Sequence, residues 1–415
     1  MQYIIQAPQH LDTTIKLPAS KSISNRALII HALAGGEIIP DNLSDCDDTN
    51  VIVNAFRNMP DVIDIMGAGT AMRFMTAYLS VTPGEHTLTG TERMKHRPIE
   101  ILVDALRLLG ADIQYLNEKG YPPLRIKGKT LKGGTLEIPG TVSSQYISAL
   151  LMIAPILKNG LELTMTGGII SRPYIDLTLW TMREFGAKAD WTGGDTVTVQ
   201  PGNYTQRPYL IENDWSAASY WYEILALSDD EEATVKLTGL MDGSKQGDSV
   251  TRYIFSLLGV KTLFGSNKQG KPTTITLKKN RRIVPRLDYD FINSPDLAQT
   301  FVVCCCALGV PFHFKGLSSL KIKETDRIEA LKIELRKLGF VIKDFNNCEL
   351  IWDGERCEPT MAPIDTYEDH RMALSFAPLA MKYPEIKINN PLVVTKSYPA
   401  FWNDMKQAGF TIDTI

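Results

Sequence analysis

Between Ser318 and Lys343 the chain reads SSLKIKETDRIEALKIELRKLGFVIK, in which Ile328, Leu331, Leu335 and Leu338 recur at helical spacing. Asp326 and Glu329 form a D-x-x-E cap at the start of this predicted helix, and Gly339 is placed to end it. The pattern recurs at Gly110, Gly186, Gly259 and Gly409, each time as helical periodicity closed by an apolar residue and a glycine before a strand-like segment. A worn sixth copy runs through Met59. Between these lie six apolar helical stretches, each followed by a short strand and turn: GEIIPDNL, GEHTLTG, GLELTMTGG, ATVKLTG, PFHFKG and PEIKINN.

The repeat length of roughly 70–80 residues is far too long for a solenoid, so each copy is a small α/β subdomain with two helices and several strands. Such a unit cannot cover both faces of its own sheet. Helices are therefore expected to pack inward with the sheets facing out, and six units to divide into two domains of three. The second unit is expected to be shortened, because Pro60 leads almost directly into DVIDIMGAGT where the others carry an extra strand pair.

Polar clusters stand in register with this repeat. PASKSISNR, GAGTAMR, TVSSQY, ENDWSAAS, NSPDLAQ and YEDHRMA precede the first helix of each unit; SDCDDT, KHRPIE, SRPYID, KQGDSV, KETDRIE and TKSYPAF precede the second. Helix N-termini present unpaired N–H groups and partial positive charge, which suits them to anions. A solvated cap accounts for any one of these clusters; their repetition favours a large polyanion site. Its cations are Lys21, Arg26, Arg97, Arg172, Lys323, Arg327, Arg371 and Lys396. Ser22, Ser143, Ser144, Gln145, Ser171 and Tyr174 supply hydroxyl and amide donors, and Gly67 and Gly69 allow close backbone approach. Asp296, Glu324, Asp369 and His370 are the acid–base candidates, although His370 also reads as a packed histidine beside a cap. GAGTAMR lacks the G-K-[ST] ending of a P-loop.

Composition narrows the partners. At 415 residues, 44% hydrophobic and 22% charged, the chain reads as a multidomain globular protein; it has no apolar run of bilayer length and no signal-like start, so cytoplasmic location is expected. A net charge of −3 argues against nucleic acid. The six cysteines include no C-x-x-C and the six histidines are scattered, so neither a disulfide framework nor a metal site is expected.

LPASKSISNRAL, GAGTAMR, RMKHRPI, VSSQYISALLM, SRPYIDLTL, PDLAQT, KETDRIEAL, YEDHRMA and TKSYPAFW, in this order and over nearly the whole chain, resemble the 5-enolpyruvylshikimate-3-phosphate synthase family. The resemblance implies the two-domain enolpyruvyl-transferase fold, an inside-out α/β barrel with three βαβαββ-like repeats per domain. It places one domain at 18–211, mainly on the shikimate 3-phosphate side, and the other at 1–17 plus 212–415, closing over substrates in the cleft between them. It implies transfer of the enolpyruvyl group of phosphoenolpyruvate to the 5-hydroxyl of shikimate 3-phosphate, without metal or cofactor, by a monomer. By motif position, shikimate 3-phosphate falls to Lys21, Ser22, Arg26, Ser143, Ser144, Gln145, Ser171, Tyr174, Asp296, Ser319 and Lys323. Phosphoenolpyruvate falls to Lys21, Gly69, Arg97, Gln145, Arg327, Arg371 and Lys396, and the catalytic roles to Lys21, Asp296, Glu324 and His370. Three positions depart from the family pattern: Gly67 and Ser319 where asparagine is expected, and Phe74 where proline is expected. The UDP-N-acetylglucosamine enolpyruvyl transferases share the fold and donor, but KSISNR and KETDR favour the shikimate branch. Of a non-catalytic phosphosugar-binding or RNA-phosphate-processing relative on the same architecture, the first is disfavoured by Lys21, Asp296, Glu324 and His370 standing together and the second by the acidic balance.

Overall fold

The structure is a computed structural model describing residues 1–36, 39–265 and 270–415. It divides into two compact units, Ala19–Ile211 and Met1–Pro18 with Glu212–Ile415. Pro18, expected with the inserted unit, belongs instead to the other one, where its carbonyl accepts the backbone N–H of Asp214 at 2.9 Å.

One sheet pattern recurs. In the inserted unit, Val62–Asp64 runs parallel to Gly84–Thr89, which pairs antiparallel with Leu124–Gly128 and through it with Asp112–Tyr115. Gly134–Pro139, Leu161–Thr166, Thr196–Val199 and Ala189–Trp191 repeat this order. In the other unit it is repeated by Asp12–Lys16, Thr234–Leu240, Thr273–Ile283 and Leu258–Phe264. Leu287–Asp290, Phe312–Lys315, Glu349–Trp352 and Lys343–Phe345 repeat it once more. The last repeat borrows from the chain's start: Gln2–Gln6 lies between Ile386–Asn389 and Thr411–Thr414, antiparallel to both. A parallel bridge from Ile364 to Ile388 supplies its outer edge.

The shortening falls on the first repeat rather than the second. Helix Asp47–Asn58 passes through left-handed Met59 into Val62–Asp64, which opens a complete four-stranded sheet. What is missing is the strand pair of the preceding repeat, whose pairing among the described residues is the single parallel bridge Asp41–Leu210. GEIIPDNL was the strand expected there; its Glu37 and Ile38 lie outside the described residues.

Each sheet needs only one covered face, and its strands alternate accordingly: Leu161, Leu163 and Met165 are buried while Glu162 and Thr166 are exposed. The cover comes from helices that are apolar nearly all round. Lys21–Leu33, Gly69–Val81 and Ser144–Ile153 pack on one another in the inserted unit. In the other unit, Ala298–Leu308 packs against both Trp215–Leu227 and His370–Phe376. Gly110, Gly186, Gly339 and Gly409 end the outer helices with φ between +86° and +103°, where a side chain would be strained. Gly259 differs. Its helix, Thr251–Ser256, stops earlier, and the glycine sits inside strand Leu258–Phe264 at a register shift.

No described helix is long and apolar enough to cross a membrane. The Cys304–Cys306 triplet is buried in the core, as a small-hydrophobe reading requires. Glu223 is an exception to this apolar packing. It is 0% exposed, both carboxylate oxygens lack a hydrogen-bond partner, and burial holds the group well above the usual carboxylate range. The folded chain thus keeps a proton that the unfolded chain releases near pH 4.5, so stability falls as pH rises from there toward the folded-state value. Glu223→Gln is expected to raise the melting temperature at pH 8 clearly more than at pH 4, by the equivalent of about 1–3 kcal/mol at the higher pH. Calorimetry at both pH values checks this.

Candidate active site

The inserted unit holds its candidates where the central helices begin. Ser20 caps helix Lys21–Leu33, and Lys21 ion-pairs across 3.2 Å with Asp48 in the first turn of the next helix. One turn on, Arg26 is buried. Its Nε donates to Thr178 Oγ1 at 2.7 Å, Nη1 to the Ser22 carbonyl at 2.9 Å, and Nη2 to Ser148 Oγ and the Tyr174 carbonyl at 3.1 and 3.3 Å. Burial pushes Arg26 down to about 10, still charged at neutral pH. It therefore ties three helices together besides lending charge. Phe74 is fully buried, its ring 5.4 Å from the Arg26 guanidinium, so the residue that departs from the family pattern packs inward.

Gly69 begins helix Gly69–Val81 where a side chain has no room. A Cβ there would come within 2.5 Å of Arg97 Nη1 and 2.7 Å of Arg73 Nη1, whereas one on Gly67 would meet nothing within 4 Å. Arg73 returns to the Gly69 carbonyl at 2.9 Å and reaches that of Pro98 at 3.2 Å, which fixes the loop carrying Arg97. Gln145 Nε2 donates to Thr70 Oγ1 at 3.0 Å, joining the starts of two central helices. Ser143 Oγ caps its helix by accepting from Gln145 N, with Ser144 buried beside it. Ser171 is a left-handed residue at φ 55°, leading into the helix that carries Tyr174. Arg172, by contrast, stacks on Trp191 at 3.8 Å and donates to the Gly194 carbonyl, away from these groups.

The other unit holds a lattice of ions. Arg327, 1% exposed at the start of helix Arg327–Lys337, donates Nε and Nη2 to Asp369 at 2.6 and 3.2 Å. It also reaches Glu324 at 2.9 Å and Asp296 at 3.3 Å. Arg371 holds the far oxygen of Asp296 at 3.0 Å and the Tyr220 hydroxyl at 3.1 Å. Lys323 stands 3.6 Å from Asp296, and Lys396 stands 3.1 Å from Glu324. Asp369, 0% exposed, also caps its helix by accepting from Arg371 N. His370 is buried, its Nδ1 3.7 Å from Asp369, the geometry of the packed histidine rather than of an open acid. Ser319 lies half-buried in the 3-10 turn Ser318–Ile322. Burial alone would raise Asp296, but Arg371, Lys323 and Arg327 outweigh it and hold the carboxyl well below the usual range. An ionised carboxylate ringed by cations is the arrangement this unit offers. Among the described residues, no three His, Cys, Asp or Glu side chains gather as metal ligands.

The EPSP synthase (3-phosphoshikimate 1-carboxyvinyltransferase) family profile matches residues 5–65 and 58–405. The chain belongs to the EPSP synthase family. It is 59% identical over 413 residues to the 3-phosphoshikimate 1-carboxyvinyltransferase of Bacteroides fragilis, covering 99% of each chain. It is 35% identical over 439 residues to that of Haemophilus influenzae, covering 98% of this chain and 99% of that one. In fold it is similar to EPSP synthase from Acinetobacter baumannii, with a TM-score of 0.79 at 22% identity and full coverage of both chains. The enolpyruvyl transferase NikO from Streptomyces tendae gives a TM-score of 0.73 at 15% identity, over 99% and 98% of the two chains.

Asp48, Arg73 and Tyr220 hold candidate residues in place but were not candidates from sequence. Asp48 lies in SDCDDT, a cluster already marked by the repeat, but spacing does not say which of its carboxylates turns back toward a cation. Removing one member of a buried pair leaves the other uncompensated. Asp369→Ala is therefore expected to cost about 3 kcal/mol of stability, and pairing it with Arg327→Met to recover part of the loss. Denaturant unfolding of the two variants and the parent checks this.

Proposed function

We propose that the chain transfers the enolpyruvyl group of phosphoenolpyruvate to the 5-hydroxyl of shikimate 3-phosphate, releasing phosphate. The observation that carries this reading is the full-length match, at 59% identity, to a protein named for that reaction. The donor and acceptor are both anionic, and the cations described above suit them.

Asp296 takes the proton of the 5-hydroxyl as its oxygen bonds to C2 of phosphoenolpyruvate. C3 gains a proton and becomes a methyl group, giving a tetrahedral adduct. In the second step the C2–O bond to phosphate breaks, the methyl returns a proton, and the double bond re-forms. Glu324, paired with Arg327 and Lys396, and Lys21, paired with Asp48, serve the C3 proton and the leaving phosphate. Arg97, Arg327, Arg371 and Lys396, with Gly69 and Gln145, take phosphoenolpyruvate. Ser22, Arg26, Ser143, Ser144, Gln145, Ser171, Tyr174, Ser319 and Lys323 take shikimate 3-phosphate. His370 acts behind Asp369 rather than on substrate. Exchange of cation partners is built into this scheme: Arg371 and Lys396 hold Asp296 and Glu324 until substrate anions arrive.

Phosphate release should need both phosphoenolpyruvate and shikimate 3-phosphate and survive excess chelator; release with UDP-N-acetylglucosamine instead would overturn the assignment. Asp296→Asn should lower turnover about 10²–10⁴-fold, far more than it weakens phosphoenolpyruvate binding. Gly69→Ala, by displacing the Arg97 and Arg73 guanidiniums, should chiefly raise the KM for phosphoenolpyruvate. The same reading makes glyphosate a competitor of phosphoenolpyruvate, weakened by the bulk of Phe74 behind the start of the Gly69 helix. Phe74→Leu should lower its inhibition constant, measured at equal multiples of each KM; equal constants sink that idea.

A further inference from the structure

Asp248 has no part in the steps above, yet it sits behind them. It lies in the single turn Gly247–Val250, 3% exposed, with the Ser216 hydroxyl donating to its Oδ2 and no hydrogen-bond partner for its Oδ1. Ser216 opens helix Trp215–Leu227, and one turn on Tyr220 receives Arg371, whose other nitrogen grips Asp296. One helix face thus seats both Asp248 and the guanidinium that controls Asp296. The groups whose fields reach Asp248 are Asp296, Arg371, Asp214 and the Tyr289 phenol. Burial, then the charge of Asp296, pushes Asp248 up to about 7, while Arg371 and the Ser216 hydrogen bond pull the other way.

We propose that Asp248 is a positioning residue for the transfer, a second carboxyl that acts on Asp296 through space and across Arg371, so that its ionisation strengthens Asp296 as a base. The inference rests on Asp296 being the base. With Asp248 protonated, the cations around Asp296 outweigh burial and the charge of Glu324, and Asp296 binds a proton weakly. With Asp248 ionised, two negative charges share the site, and the 5-hydroxyl proton moving onto Asp296 relieves one of them. Turnover therefore rises with pH as Asp248 ionises.

The test is the pH profile of kcat from pH 5.5 to 9 for the parent, Asp248→Asn and Ser216→Ala. The parent should show a rising limb near pH 7. Asp248→Asn should lose it, with turnover at pH 8.5 down about 5–20-fold. Ser216→Ala should move the limb to higher pH, because the lost donor favoured the charged form. A parent profile flat through pH 7, a limb unmoved in both variants (which assigns it to substrate phosphate), or an equal loss at every pH overturns the proposal. If Asp248→Asn fails to fold by circular dichroism, Ser216→Ala alone decides. Asp296→Asn, run alongside, separates the two ideas. Retained turnover there removes the base itself, whereas lost turnover with an unmoved Asp248→Asn profile removes only the role of Asp248.

Discussion

A helix that is apolar on every side can be satisfied only in the middle of a fold, and it can show polar chemistry only at its ends. That constraint governs both units. Along Ser144–Ile153, Trp215–Leu227 and Ala298–Leu308 nearly every residue is buried, so their surroundings must be other helices and the inner faces of sheets. The sheets in turn need just one apolar face, which is why their strands alternate and their outer faces carry charge. What remains for ligands is the N-terminal turn of each helix, where N–H groups lack partners. The clusters around Lys21, Gly69, Ser143, Asp296 and Asp369 all occupy that turn or the residues leading into it.

Burying so many ions at those ends is tolerable because they satisfy one another. Lys323, Arg327, Arg371 and Lys396 are set against Asp296, Glu324 and Asp369, and each of these carboxylates touches at least one cation. An uncompensated ion so placed costs several kcal/mol, whereas a hydrogen-bonded set roughly offsets its own desolvation. Within it the roles divide by depth. Asp369 and Arg327 are sealed and fix geometry; Asp296, Glu324 and Lys396 are partly exposed. Glu223 shows the opposite outcome, a carboxyl that escapes the penalty only by keeping its proton.

Much of this was legible in one dimension because the physics is local. Apolar periodicity located the central helices, and glycine at a left-handed position marked where Gly110, Gly186, Gly339 and Gly409 end theirs. Gly259 misled because it serves a bulge inside the strand that follows its helix, a choice made by pairing with Thr273–Ile283. The position of the shortened repeat was also a pairing question: Pro60 marks the missing strands, but only the partners of Val62–Asp64 show which sheet lacks them. Arg26 was readable as a cation but not as the hub of three helices, since Ser148 and Thr178 lie far along the chain. Asp48 and Asp248 were hidden for the same reason: a carboxylate's role depends on the direction its side chain takes.

Non-local closure also decides how the ionic lattice is assembled. The inserted unit is continuous in sequence, whereas the other is complete only when Gln2–Gln6 lies between Ile386–Asn389 and Thr411–Thr414. Its lattice draws Tyr220, Asp296, Arg327, Asp369 and Lys396 from three different repeats. None of these repeats holds a self-sufficient set: Arg327 needs the carboxylate of the repeat that follows, and Arg371 needs the phenol of the one that begins the unit. Such contacts span long stretches of chain. The charges that would be most costly to bury alone are thus brought together with their partners only where all three repeats meet.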